Sequence, residues 1–369
     1  MIPFNKPHIT TKAKEFIFEA LDNAQLSGDG PFTKKCHTFF ENRYGMKKAL
    51  LTTSCTDALE MAAILLDIKE GDEVIAPSYT FVSTVNAFVL RGAIIKFADS
   101  YHDNPNIDPE QIRAMITKKT KAIVVVHYAG IACDMDRILE IAGGIPVVED
   151  AAQAIDSYYK GRALGTIGTF GTFSFHETKN IVCGEGGLLS INDVRYIDRA
   201  EIIREKGTNR SSFFRGEVNK YGWVDIGSSF LPSELVAAKL YSQLLEVEYI
   251  QKKRVDIWNQ YHHKLRNFCS LNNISMPVIP SYATNNAHMF YLVCSSNEQR
   301  TQLLKKLKDQ GVFATFHYVA LHSSPYYQSK YKGESLENCD RFSNCLIRLP
   351  LYVDLNDKDL EIIIKCITE

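Results

Sequence analysis

Long apolar runs are missing from this chain: no window approaches the ~18 uninterrupted apolar residues of a membrane span. The opening stretch MIPFNKPHITTKAKEF has no long apolar segment and no small-residue cleavage site. The expectation is therefore no signal peptide and a cytoplasmic location. An excess of one charge is missing too. The formal net charge is −1, the isoelectric point is about 6.8, and no run of like charges forms a tail. That excludes a basic field for nucleic acid. The nine cysteines form no Cys-x-x-Cys pair; they are odd in number and scattered from Cys36 to Cys366. Reduced thiols follow, rather than a disulfide framework or a zinc site, and no metal is expected. No G-x-G-x-x-G follows the first strand candidate, which weakens a dinucleotide dehydrogenase. The glycine-rich Gly184-Glu185-Gly186-Gly187 lacks the Gly-Lys-Ser/Thr of a P-loop. There is no internal repeat and no low-complexity tract.

What is present is a chain of 369 residues, 45% hydrophobic and 23% charged, enough for one large and one smaller domain. The first two-thirds alternates apolar runs with helical patterns. Strands are predicted at Ala49–Thr53, Glu73–Ala76, Ile94–Ala98, Ala122–His127 and Ile145–Glu149. Helices are predicted at Thr56–Leu66, Thr80–Arg91, Pro109–Ile116 and Asp134–Ala142. Val/Ile-rich strands separated by helices imply an α/β fold with a mostly parallel, doubly wound sheet. Such sheets bind ligands beyond the carboxyl ends of their strands. Beyond about residue 192 the pattern changes. Asp193–Lys206 reads as a helix, Ser233–His263 as a long and possibly bent one. Then follow a strand at His288–Cys294, a helix at Asn297–Asp309, a strand at Val312–His317, and a last helix containing Glu361–Cys366. The division expected is a large α/β domain over 1–245 and a small α+β domain over 246–369.

Three segments carry chemistry. Val147-Val148-Glu149-Asp150 is an apolar strand ending in carboxylates. Later comes Phe173-Ser174-Phe175-His176-Glu177-Thr178-Lys179-Asn180, and then the glycine-rich turn. A strand-end Asp and a later Lys suit pyridoxal phosphate (PLP): the amine condenses with the cofactor aldehyde, and the carboxylate keeps the pyridine nitrogen protonated. Ser54-Cys55-Thr56 opens a helix directly after a strand, where backbone N–H groups receive a phosphate. Singly, each feature has a bland explanation, because a lone Lys is far more often solvated and a Glu-Asp pair often just ends a strand. Their order along the chain is what carries the reading.

Over nearly its whole length the sequence resembles the DegT/DnrJ group of sugar-nucleotide aminotransferases. The matching stretches include Ser27-Gly28-Asp29-Gly30, Pro77-Ser78-Tyr79-Thr80-Phe81, Val126-His127-Tyr128-Ala129-Gly130, His176-Glu177-Thr178-Lys179-Asn180 and Arg204-Glu205-Lys206-Gly207-Thr208-Asn209-Arg210. The resemblance implies the type I aspartate-aminotransferase fold, with a mostly parallel seven-stranded sheet. It implies Lys179 as the lysine that carries PLP and shuttles the proton, and Asp150 as partner of the pyridine N–H. Gln153 would lie near the ring hydroxyl and Phe81 would stack on the ring. Cys55, Thr56 and Ser174 would bind the phosphate. His317 would stand on the substrate side, and Arg210, Arg215 and Lys220 are candidates for a nucleotide diphosphate. Many members carry Gly-Tyr-Asn-Tyr-Arg where this chain has Gly227-Ser228-Ser229-Phe230-Leu231. The Asn there reaches the PLP phosphate of the neighbouring subunit, so Ser229 is expected in that role, within a homodimer of shared sites.

The subtype with the same Ser-Ser form makes dTDP-4-amino-4,6-dideoxygalactose. The implied substrates are L-glutamate and a dTDP-linked 4-keto-6-deoxyhexose. Rivals on the same fold form the gluco epimer or a 3-amino sugar. The 3-dehydratases of the group carry His in place of the lysine, which Lys179 argues against. A rival of another class is a non-catalytic sensor of PLP or of a sugar nucleotide.

Overall fold

The computed structural model describes residues 1–369. Its strands are β1 (Lys48–Thr52), β2 (Glu73–Pro77), β3 (Ile94–Ala98), β4 (Thr120–Val126), β5 (Val147–Asp150), β6 (Tyr158–Tyr159), β7 (Arg162–Ala163), β8 (Phe170–Ser174), β9 (Gly187–Ile191), β10 (Phe290–Val293) and β11 (Leu346–Leu349). Seven of them form one sheet in the order β1-β9-β8-β5-β4-β2-β3. β9 alone runs against its neighbours β1 and β8; the other pairings, from β8 through to β3, are parallel. The fold is α/β with a mostly parallel seven-stranded sheet, as expected.

The strands form because their residues are Val, Ile, Leu and Ala on both faces, and both faces are covered. Leu50, Val74, Ala76, Val124, Val148 and Leu189 face one hydrophobic core. Their alternate neighbours Ala49, Leu51, Ile75, Ile123, Val125, Val147 and Leu188 face a second. The first core runs on into the C-terminal part, where β10 and β11 pair antiparallel, with Tyr291 opposite Arg348. The crossover helices start where capping residues stand. The Ser54 side chain accepts from the Asp57 amide at 3.1 Å to open Cys55–Leu65. Asp134 caps Met135–Ala142, and Gly143 ends it at φ +55°, a left-handed conformation that suits glycine.

Some expectations need correction. Val312–His317 is no strand; it touches the rest of the fold through single bridges, Ile2 to Val312 and Thr315 to Arg348. Its apolar Val312, Ala314 and Phe316 recur at every second residue, the spacing of a strand, although Phe316 is exposed. The predicted helix Ser233–His263 is two helices, Glu234–Leu244 and Val247–Leu271, broken at Leu245–Glu246. Asp193–Lys206 is a 3-10 turn, Val194–Tyr196, followed by a helix over Ile197–Arg204. Thr80–Arg91 shortens to Ser83–Val89 because Ser78–Val82 is loop at the mouth of the sheet.

Side chains alternate along a strand, so Glu149 and Asp150 at the end of β5 point to opposite faces. Glu149 is fully buried. Its Oε1 accepts from the amides of Ile167 (2.7 Å) and Gly168 (2.6 Å), and its Oε2 from the amide of Gly165 (2.8 Å). His127 completes the set. Its Nδ1 accepts from the Cys133 amide at 3.2 Å, so Nε2 carries the proton and donates to Glu149 at 2.9 Å. Glu149→Gln turns one acceptor oxygen into a donor facing buried donors. The expected cost is about 3 kcal/mol or more, read as a lowered urea midpoint. A midpoint equal to that of the unaltered protein would show that the carboxylate does not hold this loop.

Candidate active site

A cleft of about 540 Å³ opens at the carboxyl ends of the parallel strands. Ser54, Cys55 and Thr56 reach it after β1, Thr80 and Phe81 after β2, Val126 at the end of β4, Asp150 at the end of β5, and Ser174 at the end of β8. The C-terminal part closes the other side with His288, His317, Tyr318 and Arg348. Lys179 and Gln153 line it as well.

Asp150 is 7% exposed. Its Oδ2 accepts from the Thr84 hydroxyl at 2.7 Å and its Oδ1 from the Ala152 amide at 3.1 Å. The Thr84 proton is therefore committed, and the Thr80 hydroxyl, 2.7 Å from Thr84, must donate to it. Burial pushes the Asp150 carboxyl up, while Thr84, Ala152, Lys179 and His127 pull it back. A cation set against it would complete the offset. The Lys179 amine is shifted the other way. Burial lowers its pKa and Arg348 adds to the lowering, against Cys55 and Asp150, which raise it. Both effects favour the neutral, nucleophilic amine.

Lys179 is held by its neighbour. Buried Asn180 donates to Gln251 Oε1 (2.9 Å) and to the Asn286 carbonyl (2.8 Å), and its Oδ1 faces His288 Nδ1 at 2.9 Å. The Lys179 amide donates to the His176 carbonyl at 2.9 Å, closing the turn.

At the other end of the cleft the helix Cys55–Leu65 begins. The amides of its first turn have no intrahelical partner and carry the positive end of the helix dipole. Hydroxyls surround them: Thr56 Oγ1 donates to Ser83 Oγ at 2.8 Å, and Ser54, Ser174 and Thr178 also line the wall. β9 presses against this turn so closely that a Cβ at Gly187 would lie 2.3 Å from the Ser54 carbonyl group. Gln153 is fixed between the Ala129 amide (2.7 Å, to Oε1) and the Tyr318 hydroxyl (3.1 Å, from Nε2). Phe81 stays 56% exposed at the rim, a free apolar face. An amine, a buried carboxylate, an anion cradle and an aromatic face fit the aldehyde, ring nitrogen, phosphate and ring of PLP.

His317 Nδ1 lies 3.0 Å from the Tyr128 hydroxyl, and the Tyr79 hydroxyl donates to the His317 carbonyl. Burial holds the His317 pKa well below the ordinary value, so the ring is neutral. Ser229, Arg210 and Arg215 are not in this cleft. They line a second one of about 820 Å³, together with Lys34, Lys48, Arg204 and Lys206. Arg215 is committed to Glu201 and Glu217, each at 2.7 Å. Lys220 is exposed and lines neither cleft. The sequence reading missed His288, Tyr318, Thr84 and Arg348. Arg348 had a signal, a lone cation inside the apolar run Leu346-Ile347-Arg348-Leu349.

Residues 7–368 match the model of the DegT/DnrJ/EryC1/StrS aminotransferase family. The chain is 31% identical over 379 residues to the spore coat polysaccharide biosynthesis protein SpsC of Bacillus subtilis, covering 100% of this chain and 96% of that one. Among solved structures, the aminotransferase TlmJ from Streptoalloteichus hindustanus superimposes with a TM-score of 0.91 at 28% identity, covering 100% of this chain and 98% of that one. Spr1654 from Streptococcus pneumoniae, in its PLP form, gives a TM-score of 0.90 at 25% identity, covering 100% and 97%. The chain belongs to the DegT/DnrJ/EryC1/StrS aminotransferase family and is a pyridoxal-phosphate-dependent sugar aminotransferase.

Proposed function

We propose that the enzyme moves the amino group of L-glutamate to C4 of dTDP-4-dehydro-6-deoxy-D-glucose. The products are 2-oxoglutarate and dTDP-4-amino-4,6-dideoxy-D-galactose, for a bacterial surface polysaccharide. The observation that carries the reading is the cleft that unites Lys179, Asp150 and the amino end of Cys55–Leu65. PLP, when bound, would supply the electron sink for the transfer. Asp150 holds the pyridine nitrogen protonated, with Thr84 and Ala152 fixing the carboxylate. Lys179 would hold the cofactor aldehyde and, as a free amine, would move the proton at the reacting carbon. Its lowered basicity suits that exchange. Cys55, Thr56 and Ser174 take the phosphate, Phe81 covers the ring, and Gln153 stands by the ring hydroxyl. The carbohydrate product has support from SpsC, whose name places it in spore coat polysaccharide biosynthesis. The galacto configuration has support from the Ser228-Ser229 form of the chain.

We place the enzyme in a homodimer. Ser229 lies outside the cleft of its own chain, in an exposed segment rich in apolar side chains: Phe214, Tyr221, Trp223, Val224 and Ile226 are all exposed. A neighbour would cover such a surface, and Ser229 would then serve the neighbour's phosphate.

Three measurements test this reading. Borohydride reduction of the holoenzyme and peptide mapping should place the pyridoxyl group on Lys179; a label on another lysine ends the scheme. NMR of the product made from dTDP-4-keto-6-deoxyglucose and L-glutamate should show an axial amine at C4. An equatorial amine, or one at C3, would refute the subtype and leave the aminotransferase intact. Co-expression of Lys179→Ala with Ser229→Asp tests the shared site. A mixed dimer then has one site with both defects and one with neither, and up to about a quarter of normal activity returns, because roughly half of the dimers are mixed. Background activity in a preparation shown to contain mixed dimers would mean that Ser229 serves its own subunit.

A further inference from the structure

Three histidines line the cleft, and the most deeply buried of them, His288, has no assigned task. Its ring is oriented by hydrogen bonds that start at a backbone carbonyl. The Asn286 carbonyl, 2.8 Å from the Asn180 side-chain amide, can only accept, so the atom facing it is Nδ2. Gln251 agrees. Its own amide nitrogen is committed to the Ile155 carbonyl at 3.3 Å, so it presents Oε1 to Asn180. Asn180 therefore turns Oδ1 to His288, 2.9 Å from Nδ1. A carbonyl oxygen needs a donor, so Nδ1 carries the proton. Burial, with the charges of Lys179, Arg348 and Arg254, holds the ring well below its ordinary pKa and leaves it a single proton. Nε2 is then a bare acceptor. It receives no hydrogen bond from the chain, and it is the polar atom that His288 has left for the cleft.

We infer that His288 Nε2 accepts a hydrogen bond from the ring hydroxyl beside the carbonyl of the sugar substrate, and so helps to determine specificity for that substrate. The inference rests on the sugar-nucleotide reading above. The lone pair selects its partner. Carboxylates and phosphates carry acceptors only, and Nε2 repels them. Apart from its reacting amine, L-glutamate therefore has nothing to offer this atom. The keto sugar has hydroxyls. Asn180 follows Lys179 directly and bonds His288, so the acceptor stands near the amine that works on C4. The hydroxyl on C3 is the one beside C4. Rotation of the ring would break the bond to Asn180, so the acceptor cannot turn away. An analogue without that hydroxyl leaves Nε2 unpaired in a closed site, which is how such an acceptor discriminates. The residue acts on the sugar half of the reaction and not on the glutamate half.

The test separates the two edges of the ring. His288→Asn keeps a donor near the Nδ1 position and loses the acceptor. His288→Gln keeps an acceptor near the Nε2 position and loses the donor. The probes are dTDP-6-deoxyglucose, which has no carbonyl to aminate, and its 3-deoxy counterpart, each titrated calorimetrically into holoenzyme. The unaltered enzyme should bind the first about tenfold more tightly. That preference should vanish in His288→Asn and survive in part in His288→Gln. In His288→Asn the half-reaction with the keto sugar should slow about tenfold more than the half-reaction with L-glutamate. A residue that only holds Asn180 gives the reverse order of the two variants, and that result overturns the inference. A preference that persists in His288→Asn, or is absent from the unaltered enzyme, overturns it too. If neither variant folds, nitrogen NMR of histidine-labelled, unaltered holoenzyme decides. It should show His288 protonated on Nδ1, with an Nε2 signal that moves on addition of dTDP-6-deoxyglucose and not of its 3-deoxy counterpart. A proton on Nε2, or an equal response to both probes, is the contrary result. Holoenzyme that binds neither probe sinks this inference together with the sugar reading. Tight binding of both probes alike sinks this inference alone.

Discussion

The site depends on one buried carboxylate at the end of β5. Asp150 can stay ionised at 7% exposure only because Thr84 and the Ala152 amide hold it and positive groups lie near. That requirement propagates outward. Thr84 must donate to it, so Thr80 must donate to Thr84, and both come from the segment that also presents Phe81. Strand alternation turns Glu149 to the far face, where it needs donors of its own and takes them from Gly165, Ile167 and Gly168. One dipeptide thus fixes the cleft floor on one side of the sheet and a loop on the other.

The lysine is positioned by a different device. It lies in the turn after β8, and its place is set by Asn180, whose amide spans Gln251, Asn286 and His288. Those partners belong to the long helix Val247–Leu271 and to the segment leading into β10. Lys179 is therefore tied to the part of the chain that closes the cleft from above. A shift between the two sheets would move Lys179 relative to Asp150. The burial that lowers the Lys179 pKa needs that closure.

Much of the architecture was legible because the strands are buried on both faces and read as Val/Ile runs. Ile94–Ala98 and Asn297–Asp309 fall where the pattern put them. Hydrophobic alternation misled at Val312–His317, where apolar side chains line a cleft and a surface rather than a sheet. The break at Leu245–Glu246 carries neither Gly nor Pro, so no local signal marked it. Cleft residues contributed by strand ends were readable, since a ligand site beyond the carboxyl ends is a property of the sheet. Thr84 was not, because its role lies in a hydrogen bond across 66 residues. His288 and Tyr318 were silent for the same reason. Arg210, Arg215 and Ser229 line a second cleft, a grouping that no local pattern in the sequence marks.

The two sheets divide the chemistry along physical lines. The parallel sheet gathers partial positive charge at the helix start after β1 and a carboxylate at the end of β5, which suits a ligand with a phosphate at one end and a basic nitrogen elsewhere. The small antiparallel sheet offers rings and one cation. His288 and His317 are neutral because burial holds their pKa values well below normal, and their neighbour Arg348 adds to that lowering. Its charge therefore stands unopposed in the upper half of the cleft.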